Sequence, residues 1–201
     1  MKKLASTVFA LGLTVVIGAA QAADAPPTRL RGTIDQVDGQ TLHVTSRSGE
    51  KLVVTLTPDA KVVDVSKIDI SAIKPNSYIG TAAAPLPDGS LKALEVHVFP
   101  ESMRGSGDGH RPFDLGPNST MTNGTVGSVV GTSDRTLTVK YEGGEKKVVV
   151  PADVPIVTFE PGTLGELKAG AHIIVSAMKG ADGNLTTNRV SVGKDGLTPP
   201  M

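Results

Sequence analysis

Five side chains with metal-binding chemistry lie close together near the middle of the sequence: His97, Glu101, Met103, Asp108 and His110. Imidazole and carboxylate groups suit several divalent transition metals, and a methionine sulfur would favour copper. The segment has no His-x-His spacing to preset the ligand geometry, and Gly105, Gly107 and Gly109 make it flexible. A site for a divalent or copper ion is therefore one interpretation of these residues.

The same segment carries groups suited to a structural clamp: Phe99, Arg104, Arg111, Phe113 and Asp114. The arginines can form salt bridges with neighbouring acids, and the phenylalanines can dock in an apolar seam. This second interpretation predicts an ordered segment over residues 99–114 and no bound cofactor. We favour it because no short histidine spacing presets a metal site and the three glycines make the segment flexible.

No catalytic motif is complete in the sequence. Gly105 to Gly109 have the composition of a phosphate-binding loop, but such a loop must open a helix, and Pro112 follows closely instead. There is no Gly-x-Ser-x-Gly elbow. Because the chain has no cysteine, disulfides, thiolate metal sites and cysteine nucleophiles are excluded. We predict that the protein is not an enzyme.

The N-terminus has the pattern of a secretory signal peptide. Lys2 and Lys3 precede an apolar run from Leu4 to Ala20, and Ala20-Gln21-Ala22 is a small-x-small cleavage signal. No later segment approaches the ~20 apolar residues that a membrane helix needs. We predict a signal peptide at residues 1–22 and an exported, periplasmic mature chain that does not span the membrane.

The charge balance argues against a nucleic-acid partner. The chain has 20 basic and 20 acidic side chains, and loss of Lys2 and Lys3 with the leader would leave a net charge of −2. Nucleic-acid affinity depends mainly on basic groups that neutralise phosphates. The expected partner is an envelope protein or a small ligand. A homo-oligomer is also expected to help, because small β domains without large aromatic cores bury little surface.

An internal repeat is the main architectural signal, with residues 29–99 resembling residues 123–193. The matched segments are Gly32-Thr33-Ile34 with Gly124-Thr125-Val126, Thr41-Leu42-His43-Val44 with Thr136-Leu137-Thr138-Val139, Gly49-Glu50-Lys51 with Gly144-Glu145-Lys146, and Asp88-Gly89-Ser90-Leu91 with Asp182-Gly183-Asn184-Leu185. Small shifts of register between the copies are what changes of loop length produce. The sequence therefore predicts two homologous units.

Each copy has the periodicity of short strands. Leu42 and Val44 alternate with polar residues, and Asp-Gly and Gly-Gly pairs mark tight hairpins. Residues 68–74 and 163–168 each read as one helical turn. The predicted fold is all-β, with two tandem small OB-like barrels of about six strands and one helical turn each. A linker over residues 100–122 joins them, and residues 194–201 form a C-terminal tail.

The order of these motifs resembles bacterial exported β-barrel domains of the DUF5666 type. The mature chain, including the segments 97–105 and 118–123, also resembles proteobacterial exported proteins often labelled "metal ABC transporter permease". That label conflicts with the residues, because a permease needs several membrane spans. The resemblance implies an exported β-barrel protein and no defined activity.

Two functions follow as expectations. The first is a non-catalytic binding or structural protein of the cell envelope. The alternative is a periplasmic metal-binding or metal-delivery accessory protein that uses the linker histidine and acids.

Overall fold

The computed structural model describes residues 27–130 and 135–200, so the predicted signal peptide lies outside the described residues. The described chain is all-β, with short 3₁₀ turns and no longer helix. The strands are β1 (Thr28–Asp38), β2 (Thr41–Ser46), β3 (Lys51–Lys67), β4 (Tyr78–Pro85), β5 (Leu91–Val98), β6 (Gly109–Pro112), β7 (Thr120–Val130), β8 (Thr136–Tyr141), β9 (Gly144–Val149), β10 (Ile156–Pro161), β11 (His172–Lys179) and β12 (Leu185–Gly193). The 3₁₀ turns are Ile70–Ala72, Glu101–Met103, Leu164–Glu166 and Lys194–Gly196.

Five strands close into a barrel, here called the first barrel. The order of pairing is β1-β2-β3-β12-β11 and back to β1. The ladder between β3 and β12 is parallel, and the other ladders are antiparallel. Alternate side chains of each strand point inward, which is why Leu30, Ile34, Leu42 and Val44 are buried in one apolar core. Closure leaves these strands without free edges.

A second set of five strands, here called the second ring, is paired in the same order. The pairing runs β7-β8-β9-β5-β4 and back to β7, and a short parallel ladder joins β5 to β9. Its core includes Ile79, Val96, Leu137 and Val148. β10 bridges the two sets, since it pairs with β3 on one side and with β5 on the other.

The repeat predicted from the sequence is visible in the pairing. Gly32 faces Ile173 in one ladder, and Gly124 faces Ile79 in the matching ladder. Leu42 and Leu137 are both fully buried, and each faces a buried valine, Val54 of β3 and Val148 of β9. Each leucine is part of a separate apolar core, Leu42 in the first barrel and Leu137 in the second ring.

The sequence predicted one barrel from residues 29–99 and another from residues 123–193. The strands do not close within each repeat. β1, β2 and β3 close with β11 and β12 of the other repeat, while β4 and β5 close with β7, β8 and β9. The exchange accompanies the long strand β3. Of its 17 residues, Val54 to Val65 lie along β12, so β3 stays in the first barrel almost to its end at Lys67, and β4 begins only after the chain has left that barrel.

Two finer expectations also change. The first repeat has five strands rather than about six, because β3 runs without a break where the second repeat has separate strands β9 and β10. Pro151 and Pro155 lie in that break, and proline cannot donate to a ladder. The linker over residues 100–122 contains β6 and the start of β7, so it is ordered and partly strand. The two predicted helical turns are confirmed as 3₁₀ turns.

Candidate ligand-binding groove

His97, the first predicted metal ligand, is sealed inside the protein. It is 1% exposed, and its ring contacts Phe159 edge-on with the centroids 5.3 Å apart. Its Nε2 atom lies 3.3 Å from Oε1 of Glu95, which is fully buried as well. Apart from this contact, neither Glu95 oxygen nor the His97 Nε2 has a hydrogen-bond partner in the described chain. Glu95 and His97 are therefore each other's polar partner in the protein interior.

The remaining predicted ligands have other partners. Glu101 forms a salt bridge with Arg104 at 2.6 Å, and the arginine lowers the pKa of Glu101. Met103 packs beside an apolar cluster that contains Phe159.

Asp108 and His110 lie against the hairpin between β8 and β9. Asp108 Oδ1 accepts a hydrogen bond from the backbone N–H of Glu142 at 2.7 Å, and Tyr78 donates its hydroxyl to Oδ2 at 3.3 Å. Burial and this carboxylate raise the pKa of Tyr78 to about 12. The His110 ring stacks on Tyr141, and its Nδ1 lies 2.8 Å from the Thr122 hydroxyl. Burial lowers the pKa of His110.

The five predicted metal ligands therefore divide between different surroundings. His97 and Met103 adjoin the aromatic cluster, whereas Asp108 and His110 contact the β8–β9 hairpin. Within the described residues, no three His, Asp or Glu side chains are grouped so that they could hold a metal ion.

The residues predicted to dock the linker make clearer contacts. Phe99 lies between Tyr78 and Phe159, with ring centroids 5.5 and 5.4 Å away. Arg104 binds Glu101 and donates to the carbonyl oxygen of Asn76 at 2.9 Å. Arg111 donates to the carbonyl oxygen of Gly107 at 2.7 Å instead of pairing with an acid.

The end of the linker is attached to the first barrel. Asp114 accepts two hydrogen bonds from the Arg31 guanidinium, at 2.9 and 3.1 Å, and one from Arg29 at 3.3 Å. Arg31 is the main reason that the pKa of Asp114 is lowered. Phe113 is half-buried, with the Arg29 guanidinium 4.8 Å from its ring centroid. These contacts fit a structural clamp.

A groove of about 560 Å³ opens beside this attachment, at the end of the first barrel. Its cationic side chains are Arg29 and Arg31 from β1, Arg47 from the turn after β2, and Lys179 from the end of β11. Asp114 and Glu50 are the acidic residues that line it, and its apolar lining residues are Leu30, Leu52, Leu115 and Leu185. We call this surface the first-barrel groove.

The backbone explains why two of these arginines share one surface. Leu30 is buried in the barrel core, and successive side chains of a strand point to opposite faces. Arg29 and Arg31 must then both point away from the core. Arg47 follows β2, and its Nη2 donates to the carbonyl oxygen of Pro199 at 2.7 Å.

The groove has an excess of positive charge. Four cationic side chains face two carboxylates, although the whole chain has 20 basic and 20 acidic side chains and no net charge. Partial desolvation, and then the neighbouring Arg31, lower the pKa of Arg47. Because arginine stays charged well above neutral pH, this crowding of like charges persists under ordinary conditions. Such a surface favours an anion.

Reasoning from the sequence found Asp114 but missed Arg29, Arg31, Arg47 and Lys179. The signal available was the Arg-x-Arg spacing at the start of a strand. A comparison of the repeats would also have shown that Glu142 stands where the first copy has Arg47.

A second pocket, of about 410 Å³, is bordered by an acidic pair. Asp64 on β3 is buried, and Lys194 lies 3.7 Å from its Oδ2. Among the residues that the structure describes, no group donates a hydrogen bond to its Oδ1. Burial and the adjacent Glu166 carboxylate raise the pKa of Asp64. A hydrogen bond from the backbone N–H of Thr163 lowers the pKa of Glu166. The two carboxyl groups can share one proton.

No helix in the described part of the chain is long and apolar enough to cross a lipid bilayer. Comparisons of the sequence and structure with protein-family profiles, with curated proteins and with solved structures gave no match.

Proposed function

We propose that the protein is a non-catalytic, exported binding protein of the cell envelope and that it takes its ligand in the first-barrel groove. The observation that carries this proposal is the combination of four cationic side chains with an apolar lining from four leucines. Binding sites commonly join an apolar lining to a few placed polar groups. The signal-peptide pattern supports export.

The fold supports binding in a second way. We propose that each set of five strands is an OB-like barrel, completed by strands of the other repeat. Barrels of this type often bind oligosaccharides or oligonucleotides through their loops and outer strands. This analogy concerns the fold alone, and the groove residues carry the functional argument.

The test is a nuclear magnetic resonance screen of the ¹⁵N-labelled mature chain. Neutral, cationic and anionic small molecules and sugars would be added singly. We expect at least one compound to shift the amide signals of residues 28–31, 46–50 and 179–185 together.

A matched pair of variants locates the binding. Glu50 lines the groove, and Glu145 is its counterpart in the second repeat. Glu50→Trp should obstruct the groove and weaken binding, whereas Glu145→Trp should leave it unchanged. The proposal is wrong if no compound shifts the groove signals, or if both variants behave alike.

A further inference from the structure

We infer that the first-barrel groove is a site for an acidic ligand, a molecule that carries a carboxylate or phosphate group. This inference rests on the proposed function and adds the chemical class of the ligand. It depends on three observations about the groove and its counterpart in the second ring.

The first observation is that the groove already holds a carboxylate. Asp114 is bound by both Nη atoms of Arg31 and by Arg29. The planar guanidinium fork matches a carboxylate or phosphate, so this contact shows the kind of group that the surface recognises.

The second observation is that two cationic side chains of the groove, Arg47 and Lys179, are not paired with Asp114. Arg47 donates to a carbonyl oxygen, and no carboxylate of the described residues forms a salt bridge with it. Lys179 has no salt bridge within the described residues either, and its side chain is exposed. Asp114 therefore leaves these two cations for another anion.

The third observation comes from the internal repeat. The turn after β8 is the counterpart of the turn after β2, and Glu142 stands at the position of Arg47. There the linker covers the turn, with the Asp108 carboxylate on the Glu142 N–H and His110 stacked on Tyr141.

The second ring thus receives an acidic side chain from its own linker, and Met121 and Asn123 replace Arg29 and Arg31. In the first barrel the same region keeps its cations and forms an open groove. Both copies receive a linker acid, but in the first barrel Asp114 is bound by Arg29 and Arg31, and Arg47 and Lys179 stay available to an acid from outside the chain.

The experiment is isothermal titration calorimetry on the mature chain in a Tris-chloride buffer. Citrate represents carboxylates, inorganic phosphate represents phosphates, and glucose is the neutral control. We expect citrate or phosphate to bind and glucose not to bind. Affinity should fall between about 50 mM and about 300 mM NaCl, because salt screens exposed charges.

Variants separate the groove from general charge effects. Lys179→Ala and Arg47→Ala should each weaken anion binding about tenfold, the loss expected for one charge-assisted contact. Lys92→Ala removes an exposed charge from β5 of the second ring and should change nothing. Arg47→Lys should recover part of the affinity, since it keeps the charge and loses the fork.

Each outcome separates this inference from the proposed function. If anions bind equally to wild type, Lys179→Ala and Arg47→Ala, the inference is overturned. If only neutral compounds shift the groove signals in the resonance screen, the groove is a binding site but its ligand is not acidic. If no compound shifts them, both proposals fail.

Discussion

The Asp114 carboxylate accepts two hydrogen bonds from the Arg31 guanidinium, although 83 positions separate the two residues in the chain. This contact attaches the end of the linker to the first barrel beside the groove. It is partly exposed, since the side chain of Asp114 is 55% exposed and that of Arg31 is 15% exposed. Its role is more to position the two residues than to supply stability.

Asp114→Ala should therefore lower the free energy of unfolding by only about 1 kcal/mol or less. It should also shift the amide signals of the groove, because Arg29 and Arg31 lose their partner. Glu101→Ala, which breaks an exposed local pair with Arg104, is the control and should leave the groove signals unchanged. Urea unfolding and nuclear magnetic resonance measure the two effects. An unfolding cost of several kcal/mol would contradict this account.

The buried pair of Glu95 and His97 should matter far more to stability. Glu95→Ala or His97→Ala leaves the other group buried without a partner, which costs about 3 kcal/mol or more. The double variant should cost less than the sum of the single ones, because neither group is then left alone. Glu160→Ala on exposed β10 surface is the control. Additive single effects in urea unfolding would show that the two groups are independent.

The carboxyl pair of Asp64 and Glu166 predicts how the stability of the fold changes with pH. The pKa of Asp64 is raised from its ordinary value of 3.8, so its proton stabilises the fold at low pH. That contribution is lost as the pH rises through the raised pKa. Asp64→Asn keeps a donor toward Glu166 at every pH, so the stability of the variant relative to wild type should increase from pH 4 to pH 7.

Asp88→Asn is a control of opposite sign. A hydrogen bond from Ser90 lowers the pKa of Asp88, so the ionised carboxylate stabilises the fold above its ordinary pKa of 3.8. This variant should lose stability relative to wild type as the pH rises. Urea unfolding at several pH values measures both. Parallel pH profiles for wild type and Asp64→Asn would refute the shared proton.

Gly32 and Gly124, at matching positions of the repeats, are needed for close backbone packing. A Cβ atom at Gly32 would lie 2.5 Å from the carbonyl oxygen of Thr45, and one at Gly124 would overlap that of Lys140. Alanine at either position should cost about 1–3 kcal/mol by overpacking. Gly116→Ala, where a Cβ meets nothing within 4 Å, is the control. Thermal unfolding measures the effect. Equal melting temperatures for wild type and all three variants would contradict this account.

Metal binding by the linker residues can be measured directly. Because the candidate ligands have separate partners, we expect no stoichiometric retention of copper, zinc, nickel or manganese by the mature chain. Equilibrium dialysis followed by elemental analysis checks this expectation. Retention of one equivalent that is lost in His110→Ala would restore a metal site at the linker.

Much of the local structure was predictable. The alternation of Leu42 and Val44 with polar neighbours identified a strand and its inward face, because that pattern depends on only a few adjacent residues. The glycine-containing turns and the helical turns followed in the same way. The linker acids and arginines were predicted to form a clamp. Arg104 does pair with Glu101, whereas Arg111 donates to the carbonyl oxygen of Gly107, and the Arg31 partner of Asp114 was not predicted.

The sequence by itself determined an all-β chain, the repeat and the inward face of strands such as β2. Only the tertiary structure decided which strands close together. The periodicity of a strand indicates which of its faces is buried. It does not indicate the partner strand, because the backbone groups that form the hydrogen bonds are the same in every strand. The exchange of β4 and β5 for β11 and β12 accompanies the long strand β3, and it places Lys179 in the same groove as Arg47. A groove built from the two repeats could therefore be seen only after the chain had folded.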